Sequence, residues 1–267
     1  MTARQHYEFS HAFADDRKTE RPGPIRLLLI RHADPVGGAE HRLAGRMDVD
    51  LSPLGRRQAR ELGAYLAALP LAAIYSSPLK RARKTALAIA RTCPTARMAL
   101  CDDLREVDLG VVEGLTAWEA WRRWPALFDK ALDPATKDFA FPDGEAWSAA
   151  EGRAERALAG IARAHEPEDT VAVVTHGAIL GLLLARFSGE TRGAWRRYQP
   201  RHGSVSTVMA EVGADSPWLF PARLDVSDFW TRRLRTAVAL RKAAPPGTAP
   251  NHRTGSWHAR PDSFPSR

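Results

Sequence analysis

The sequence contains few of the residues that build disulfide or metal frameworks, with two cysteines in 267 residues. Cys93 and Cys101 lack the spacing of zinc ligands, so we interpret them as buried thiols in a reducing compartment rather than a disulfide. No apolar run is long enough to cross a bilayer, and residues 1–24 contain no apolar stretch of the kind that secretory signals need. These absences predict a soluble, cytoplasmic protein that has no membrane partner.

The charge balance is basic, with a formal net charge of +8 at pH 7. Such an excess fits a nucleic acid, an anionic membrane surface or a small anionic substrate. The basic residues are spread along the chain, and their densest group, between residues 232 and 242, is interpreted as a solvated helix face. Because no zinc-finger spacing, RNA-binding aromatic signature or basic heptad region accompanies them, no nucleic-acid partner is expected.

Short apolar runs alternate with longer amphipathic stretches, a pattern typical of βαβ units. Strands are predicted at residues 27–30, 72–75, 97–101, 170–174 and 204–211, the last of them antiparallel at a sheet edge. Helices are predicted at residues 52–69, 79–92, 145–165 and after 176, with Ser52 capping the first and Pro53 at its first position. The expected architecture is an α/β three-layer sandwich, with a mostly parallel central sheet and helices on both faces.

The two ends of the chain differ from this core in composition. Residues 1–24 are polar and are predicted to be a disordered extension. Residues 25–226 form the predicted domain, and residues 227–243 are compatible with one basic helix. Residues 244–267 are rich in proline and basic residues and are predicted to be a disordered tail.

Three predicted strand or helix ends carry residues that can bind or attack phosphate. The run "IRLLLIRHAD" places Arg31 and His32 directly after a buried strand, and Arg81 lies in the first turn of the helix that follows the second strand. His176 follows the fourth strand. Ligands of open α/β sheets bind beyond the carboxyl ends of the strands, where helix N-termini and guanidinium groups favour phosphate. Alone, each is also explained as a charged corner or a structural histidine, but together they predict a phosphate site.

These segments resemble the histidine phosphatase superfamily, the phosphoglycerate mutase-like fold. The resemblance covers residues 25–211 and rests on "IRHAD", "AGRMDVDLSPLGRRQA", "SSPLKRARKTA", "LREVDLGVVEGLT", "PDGEAW" and "VVTHGAIL", in that order. It implies that His32 becomes phosphorylated, that Arg31, Arg81 and a protonated His176 bind the phosphoryl group, and that Glu106 donates a proton. The arginines would do the work of a cation, so neither a metal nor a cofactor is expected.

Other carboxylates are alternatives to Glu106 as the acid. Asp34 is close in sequence to the nucleophile, and Glu113 and Glu145 lie in the segments that resemble the family. A glutamate at the position of Glu113 often supports the loop in similar proteins. Gly177 stands where the acid phosphatase and phytase branch has its aspartate acid, and this difference favours Glu106.

Two positions depart from the family pattern. Ala33 replaces the usual glycine after the histidine, and Gly38 stands where an asparagine is expected. One phosphate-binding amide would then be missing, and His41 or Arg42 could contribute in its place. These departures leave the substrate open.

The predicted function is a metal-independent phosphomonoesterase acting through a phosphohistidine on His32. Residues 115–141 hold several tryptophans but lack the arginine, proline and tyrosine pattern of a mutase. A phosphoglycerate mutase-type phosphotransferase is therefore only the second choice among enzymatic functions. A non-catalytic regulatory or binding module is the alternative of another class. The expected partner is a small phosphorylated metabolite, with a phosphoprotein as a further option, and the oligomeric state is open.

Overall fold

The structure, a computed structural model, describes residues 23–38, 40–212 and 217–226. Within them, six strands form one sheet in the order β3-β2-β4-β1-β5-β6. Strands β3, β2, β4 and β1 run parallel to one another, and β5 pairs antiparallel with both β1 and β6. The strands are β1 (Ile25–Arg31), β2 (Leu71–Ser76), β3 (Arg97–Leu100), β4 (Thr170–Thr175), β5 (Val205–Val212) and β6 (Pro217–Val226).

Helices cover both faces of the sheet. Successive side chains of β1 are buried on opposite faces and pack against the helices on each. Leu27 and Leu29 pack into one hydrophobic cluster with helices α5 (Trp147–Arg163) and α6 (Gly177–Phe187), whereas Leu28 and Ile30 pack into a second cluster with α1 (Pro53–Leu66) and α2 (Lys80–Ala90). A strand buried on both faces is typical of a parallel sheet. The predicted three-layer sandwich is confirmed. The helices are α1 (Pro53–Leu66), α2 (Lys80–Ala90), α3 (Ala117–Arg123), α4 (Pro125–Leu132), α5 (Trp147–Arg163), α6 (Gly177–Phe187) and α7 (Trp195–Tyr198).

Local sequence signals set the start of α1 as predicted. Ser52 is the N-cap, its hydroxyl accepts a hydrogen bond from the backbone N–H of Gly55, and Pro53 is the first helical residue. A β-carbon on Gly55 would lie 2.0 Å from the backbone oxygen of Asp34. Only glycine therefore lets α1 pack this closely on the segment that follows β1.

The end of the sheet differs from the prediction. The strand predicted at residues 204–211 exists and is antiparallel, but it lies between β1 and β6 rather than at the edge. The edge strand β6 was not predicted, because Pro217 and Pro221 interrupt its pattern. Proline is tolerated in an edge strand, where one side of the backbone has no partner.

The predictions for residues 1–22 and 227–267 fall outside the described residues. Among the helices that the structure describes, none is long and apolar enough to cross a membrane.

Candidate active site

The predicted site residues converge at the carboxyl ends of β1, β2 and β4. Arg31 ends β1 and His32 follows it, Arg81 is the second residue of α2, and His176 lies between β4 and α6. β1 and β4 are hydrogen-bonded neighbours whose last residues are in register. Glu106 joins the group from the loop after β3. The structure thus brings all five together, and their chemical roles remain predictions.

His32 is held as one tautomer by its two hydrogen bonds. Its Nδ1 lies 2.8 Å from the backbone oxygen of Ala33, which can only accept, so Nδ1 carries the proton. The guanidinium of Arg81 donates from Nε to His32 Nε2 over 3.2 Å. The Nε2 atom therefore presents a lone pair, which is the property a nucleophile needs.

The surroundings of His32 keep its ring neutral. Burial lowers the pKa of His32 well below its ordinary value, and the charges of Arg81 and Arg31 lower it further. The residue is 4% exposed, so water stabilises the imidazolium poorly. A neutral ring has the lone pair available without first losing a proton.

Arg81 connects His32 to the loop that follows β1. It is almost fully buried, and its Nη1 and Nη2 donate to the backbone oxygens of Met47 and Gly45 over 2.7 and 2.6 Å. Burial also lowers the pKa of Arg81 from its ordinary value. With three donors in use, the planar guanidinium is fixed beside His32.

Arg31 is the second guanidinium of the site. Its Nη1 donates to the backbone oxygen of Pro200 over 2.7 Å, and its buried Nε has no hydrogen-bond partner among the described residues. Burial lowers the pKa of Arg31 to about 10, which still leaves it charged at neutral pH. A β-carbon on Gly177 would lie 2.8 Å from Arg31 Cζ, so the glycine makes room for this side chain.

His176 faces His32 across the site, with ring centroids 5.1 Å apart. It is fully buried, and its Nε2 lies 2.7 Å from the hydroxyl of Ser77. Burial lowers the pKa of His176 well below its ordinary value, and the charge of Arg81 adds to this effect. Without a bound anion, desolvation therefore disfavours the protonated form of His176, and the protonated His176 expected beside a phosphoryl group stays a prediction.

Glu106 is oriented by the beginning of α6. Its Oε1 accepts from the backbone N–H groups of Val107 and Ile179, each over 3.1 Å, and its Oε2 accepts from Ala178 over 3.2 Å. The N-terminus of a helix favours a carboxylate in this position. Its negative charge also raises the pKa of Arg31 and Arg81, in opposition to their burial.

Glu145 supports the loop that carries Glu106. Its carboxylate accepts two hydrogen bonds from Arg153, both 2.8 Å long. Arg153 also donates to the backbone oxygens of Asp103, Arg105 and Glu106 over 2.6 to 3.0 Å. Burial alone would raise the pKa of Glu145, but the bonds and charge of Arg153 lower it. Glu145 is thus part of a structural clamp.

The other candidate carboxylates also have defined contacts. Glu113 Oε1 accepts from the backbone N–H groups of Arg46 and Leu109 over 2.6 and 3.2 Å, in agreement with the loop role expected for it. Asp34 accepts a short hydrogen bond from the hydroxyl of Ser52. Arg42, suggested as a substitute for the missing amide, donates to Gly114 O over 2.9 Å.

The sequence analysis missed His202. Its ring centroid lies 5.2 Å from that of His32, and its Nδ1 lies 3.8 Å from Asp34 Oδ1. The only signal was a second His-Gly pair, which precedes a strand instead of following one. Only the antiparallel direction of β5 brings the start of that strand to the end of β1.

Several aromatic residues of segment 115–141 pack in a small hydrophobic cluster, while Phe139 packs in the main core against Trp147. Phe128 is buried with Ala117 and Ala120, while Trp118 and Trp121 stack with ring centroids 5.1 Å apart. Val112, from the loop that follows Glu106, packs into the same cluster. The structure therefore shows these aromatics in packing contacts.

Fold and site together define a phosphohydrolase-type α/β enzyme, and the comparisons give its family. The model of the histidine phosphatase superfamily, branch 1, matches residues 27–216. The chain belongs to this superfamily, and the predicted enzyme class, a histidine phosphatase, is confirmed.

Three relatives show how close the similarity is. "Probable phosphoglycerate mutase GpmB" of Enterobacter sp. strain 638 is 33% identical over 201 residues, 73% of this chain and 88% of the relative. "Metal-independent phosphoserine phosphatase" of Arabidopsis thaliana is 31% identical over 218 residues, 80% of this chain and 87% of the relative. The solved structure of Bacillus stearothermophilus YhfR is 31% identical, has a TM-score of 0.66, and aligns with 77% of this chain and 100% of its own.

Proposed function

We propose that this chain is a metal-independent phosphomonoesterase that hydrolyses a small phosphorylated metabolite through a phosphohistidine on His32. The observation that carries the proposal is the pair of hydrogen bonds on His32. Nδ1 donates to a backbone oxygen, and Nε2 points its lone pair at the guanidinium of Arg81. A phosphate oxygen that takes over the Nε–H donor of Arg81 would release the Nε2 lone pair for attack on phosphorus.

The first step transfers the phosphoryl group to the enzyme. Phosphate monoesters resist nucleophiles because their oxygens are negatively charged, so a site must neutralise this charge and align the attack. Arg31 and Arg81 supply two buried positive charges. Glu106 enters this step protonated: as His32 Nε2 forms its bond to phosphorus, the bond from phosphorus to the ester oxygen breaks, and that oxygen takes the proton of Glu106. A bound dianion also favours the protonated form of His176, which the empty site disfavours.

The second step returns the enzyme to its starting state. Water attacks phosphorus, the bond between phosphorus and Nε2 breaks, and Glu106 takes the proton that the water loses. Inorganic phosphate then leaves. In the empty site Glu106 Oε2 accepts one backbone hydrogen bond, so this oxygen has a free lone pair that can carry the proton.

The name of one relative suggests which substrates to examine first. The Arabidopsis thaliana relative is described as a phosphoserine phosphatase, so phosphoserine heads a panel of small phosphate esters. A mutase is the second candidate, because the Enterobacter relative is described as a probable phosphoglycerate mutase. The mutase assay supplies 3-phosphoglycerate with bisphosphoglycerate and measures 2-phosphoglycerate against free phosphate.

The test of the proposal compares three proteins with p-nitrophenyl phosphate in the presence of a chelator. The wild type is expected to hydrolyse the ester. In His32→Ala, kcat should fall on the order of 10³-fold or more, whereas the kcat of His165→Ala should equal that of the wild type. Acid-labile phosphate should be trapped on the wild type after a quench and be absent from His32→Ala. Equal rates in wild type and His32→Ala would refute the proposal, and no turnover of any ester would favour a binding module.

A further inference from the structure

His202 lies on the open side of the nucleophile. The rings of His32 and His202 are inclined by 38°, so His202 partly covers the His32 ring. The side chain of His202 is 27% exposed, whereas His32 is 4% exposed and His176 is fully buried. Of these three histidines, His202 alone is in substantial contact with solvent. A substrate that reaches His32 from solvent therefore passes beside His202.

The loop that carries His202 is fixed to the end of β1. Gly203, with φ of 70°, donates from its backbone N–H to the backbone oxygens of Arg31 and His32 over 3.0 and 3.2 Å. Arg201 forms a 2.7 Å ion pair with Asp225 of β6. The position of His202 relative to His32 is therefore determined by backbone contacts with the nucleophile segment itself.

Asp34 lies beside the imidazole of His202. Asp34 is 5% exposed, and its Oδ2 accepts from the hydroxyl of Ser52. The other oxygen, Oδ1, lies 3.8 Å from His202 Nδ1, which is an electrostatic contact rather than a hydrogen bond. Because this contact is at Nδ1, the Nε2 atom is on the other side of the ring. Position 38, where a β-carbon would lie 2.9 Å from Asp34 Oδ1, contributes no side chain.

We propose that His202, which lies beside Asp34, is a phosphate-binding residue that donates a hydrogen bond to the phosphoryl group held at His32. A phosphorus poised for attack lies about 3 to 3.5 Å from the nucleophilic atom. Its oxygens then fall within reach of a ring centred 5.2 Å from the His32 ring. This inference rests on the proposed function, since it takes His32 as the place where phosphate binds.

Binding of inorganic phosphate tests the inference with two readouts, an inhibition constant and a melting temperature, of which the second needs no turnover. In His202→Ala, the inhibition constant of phosphate against p-nitrophenyl phosphate should rise about 10-fold, as expected for one lost hydrogen bond to a charged group. The increase in melting temperature that phosphate gives the wild type should shrink accordingly. His202→Gln, which keeps an N–H donor, should recover part of both effects. A residue that only supports the fold would lower the melting temperature without phosphate and would leave the inhibition constant unchanged.

A matched control uses the other histidine with a carboxylate partner. His165 Nδ1 lies 3.4 Å from Asp169 Oδ2, and His165 contacts Tyr75 rather than the site. His165→Ala should leave the inhibition constant of phosphate unchanged. An unchanged constant in His202→Ala would overturn the inference. If instead His32→Ala keeps full turnover, the proposed function fails, and the phosphate titration of His202→Ala still decides the role of His202.

Discussion

Single residues in this site are arranged to keep two histidines neutral beside two guanidinium groups. Arg31 and Arg81 carry their charges in buried positions, and the lowered pKa values of His32 and His176 follow from the same burial. Buried positive charges are costly, and the carboxylate of Glu106 offsets part of this cost. A bound phosphate dianion would offset more of it, so these arginines favour a ligand with two negative charges.

The buried neutral histidines should make the protein lose stability in mild acid. The unfolded chain binds a proton at each histidine near pH 6.5, whereas folded His176 binds one only at a much lower pH, because its pKa is lowered. As the pH falls below about 6.5, the unfolded state therefore holds more protons, and the free energy of unfolding falls by up to about 1.4 kcal/mol per pH unit for each such histidine.

Urea denaturation of the wild type and His176→Gln checks this pH dependence. Between pH 6.5 and 5.5 the variant should lose less stability than the wild type, and between pH 7.5 and 8.5 the two should have the same slope. Parallel curves across the acid range would contradict the lowered pKa of His176.

At the scale of secondary-structure elements, the site depends on a loop that is held in place by a side chain from helix α5. The segment that carries Glu106 has no strand or helix of its own beyond short turns, so Arg153 of α5 binds three of its backbone oxygens. Glu145 neutralises the guanidinium and orients it. One buried ion pair thus sets the position of the predicted acid.

Removal of Arg153 should destabilise the protein and displace Glu106. Arg153→Met removes the shorter ion pair of the largely buried Glu145, which keeps Arg46 at 3.2 Å, and takes the Arg153 donor from three backbone oxygens; the loss should cost about 3 kcal/mol in unfolding free energy. Arg105→Met is the matched control, because Arg105 pairs with the exposed Asp102 and should cost less than about 1 kcal/mol. Chemical denaturation measures both. Equal losses of unfolding free energy in the two variants would show that Arg153 stabilises the protein no more than an exposed ion pair does.

The sequence predicted those parts of the fold that a local pattern marks. Strand β1 and the cap of α1 were predictable, because an unbroken apolar run and a Ser-Pro pair mark them without reference to the rest of the chain. The clamp of Arg153 and the position of His202 were not predictable, since both depend on which distant loops meet. The neutral state of His176 likewise depends on complete burial, which no local pattern reports.

At the scale of the whole molecule, the residues of the proposed reaction lie together at the carboxyl ends of the parallel strands. The residues assigned to the proposed reaction and to phosphate lie between positions 31 and 202, and the described sheet ends with β6 at residue 226. β6 pairs with β5 along most of its length, and its Asp225 binds Arg201 beside His202. β6, the last strand of the described sheet, therefore helps to hold the loop that carries His202.

Two truncations should separate the sheet from the segment that follows it. Deletion of residues 244–267 leaves every described residue in place, including all that are assigned to the site, so kcat/KM for p-nitrophenyl phosphate should stay within about twofold. Deletion of residues 217–267 also removes β6, and it should abolish turnover and lower the melting temperature, because β5 loses its partner strand and Arg201 loses Asp225. Circular dichroism and the phosphatase assay report the two effects. A large loss of activity in the shorter deletion would place the basic tail in substrate binding, where its positive charge would attract an anionic ester.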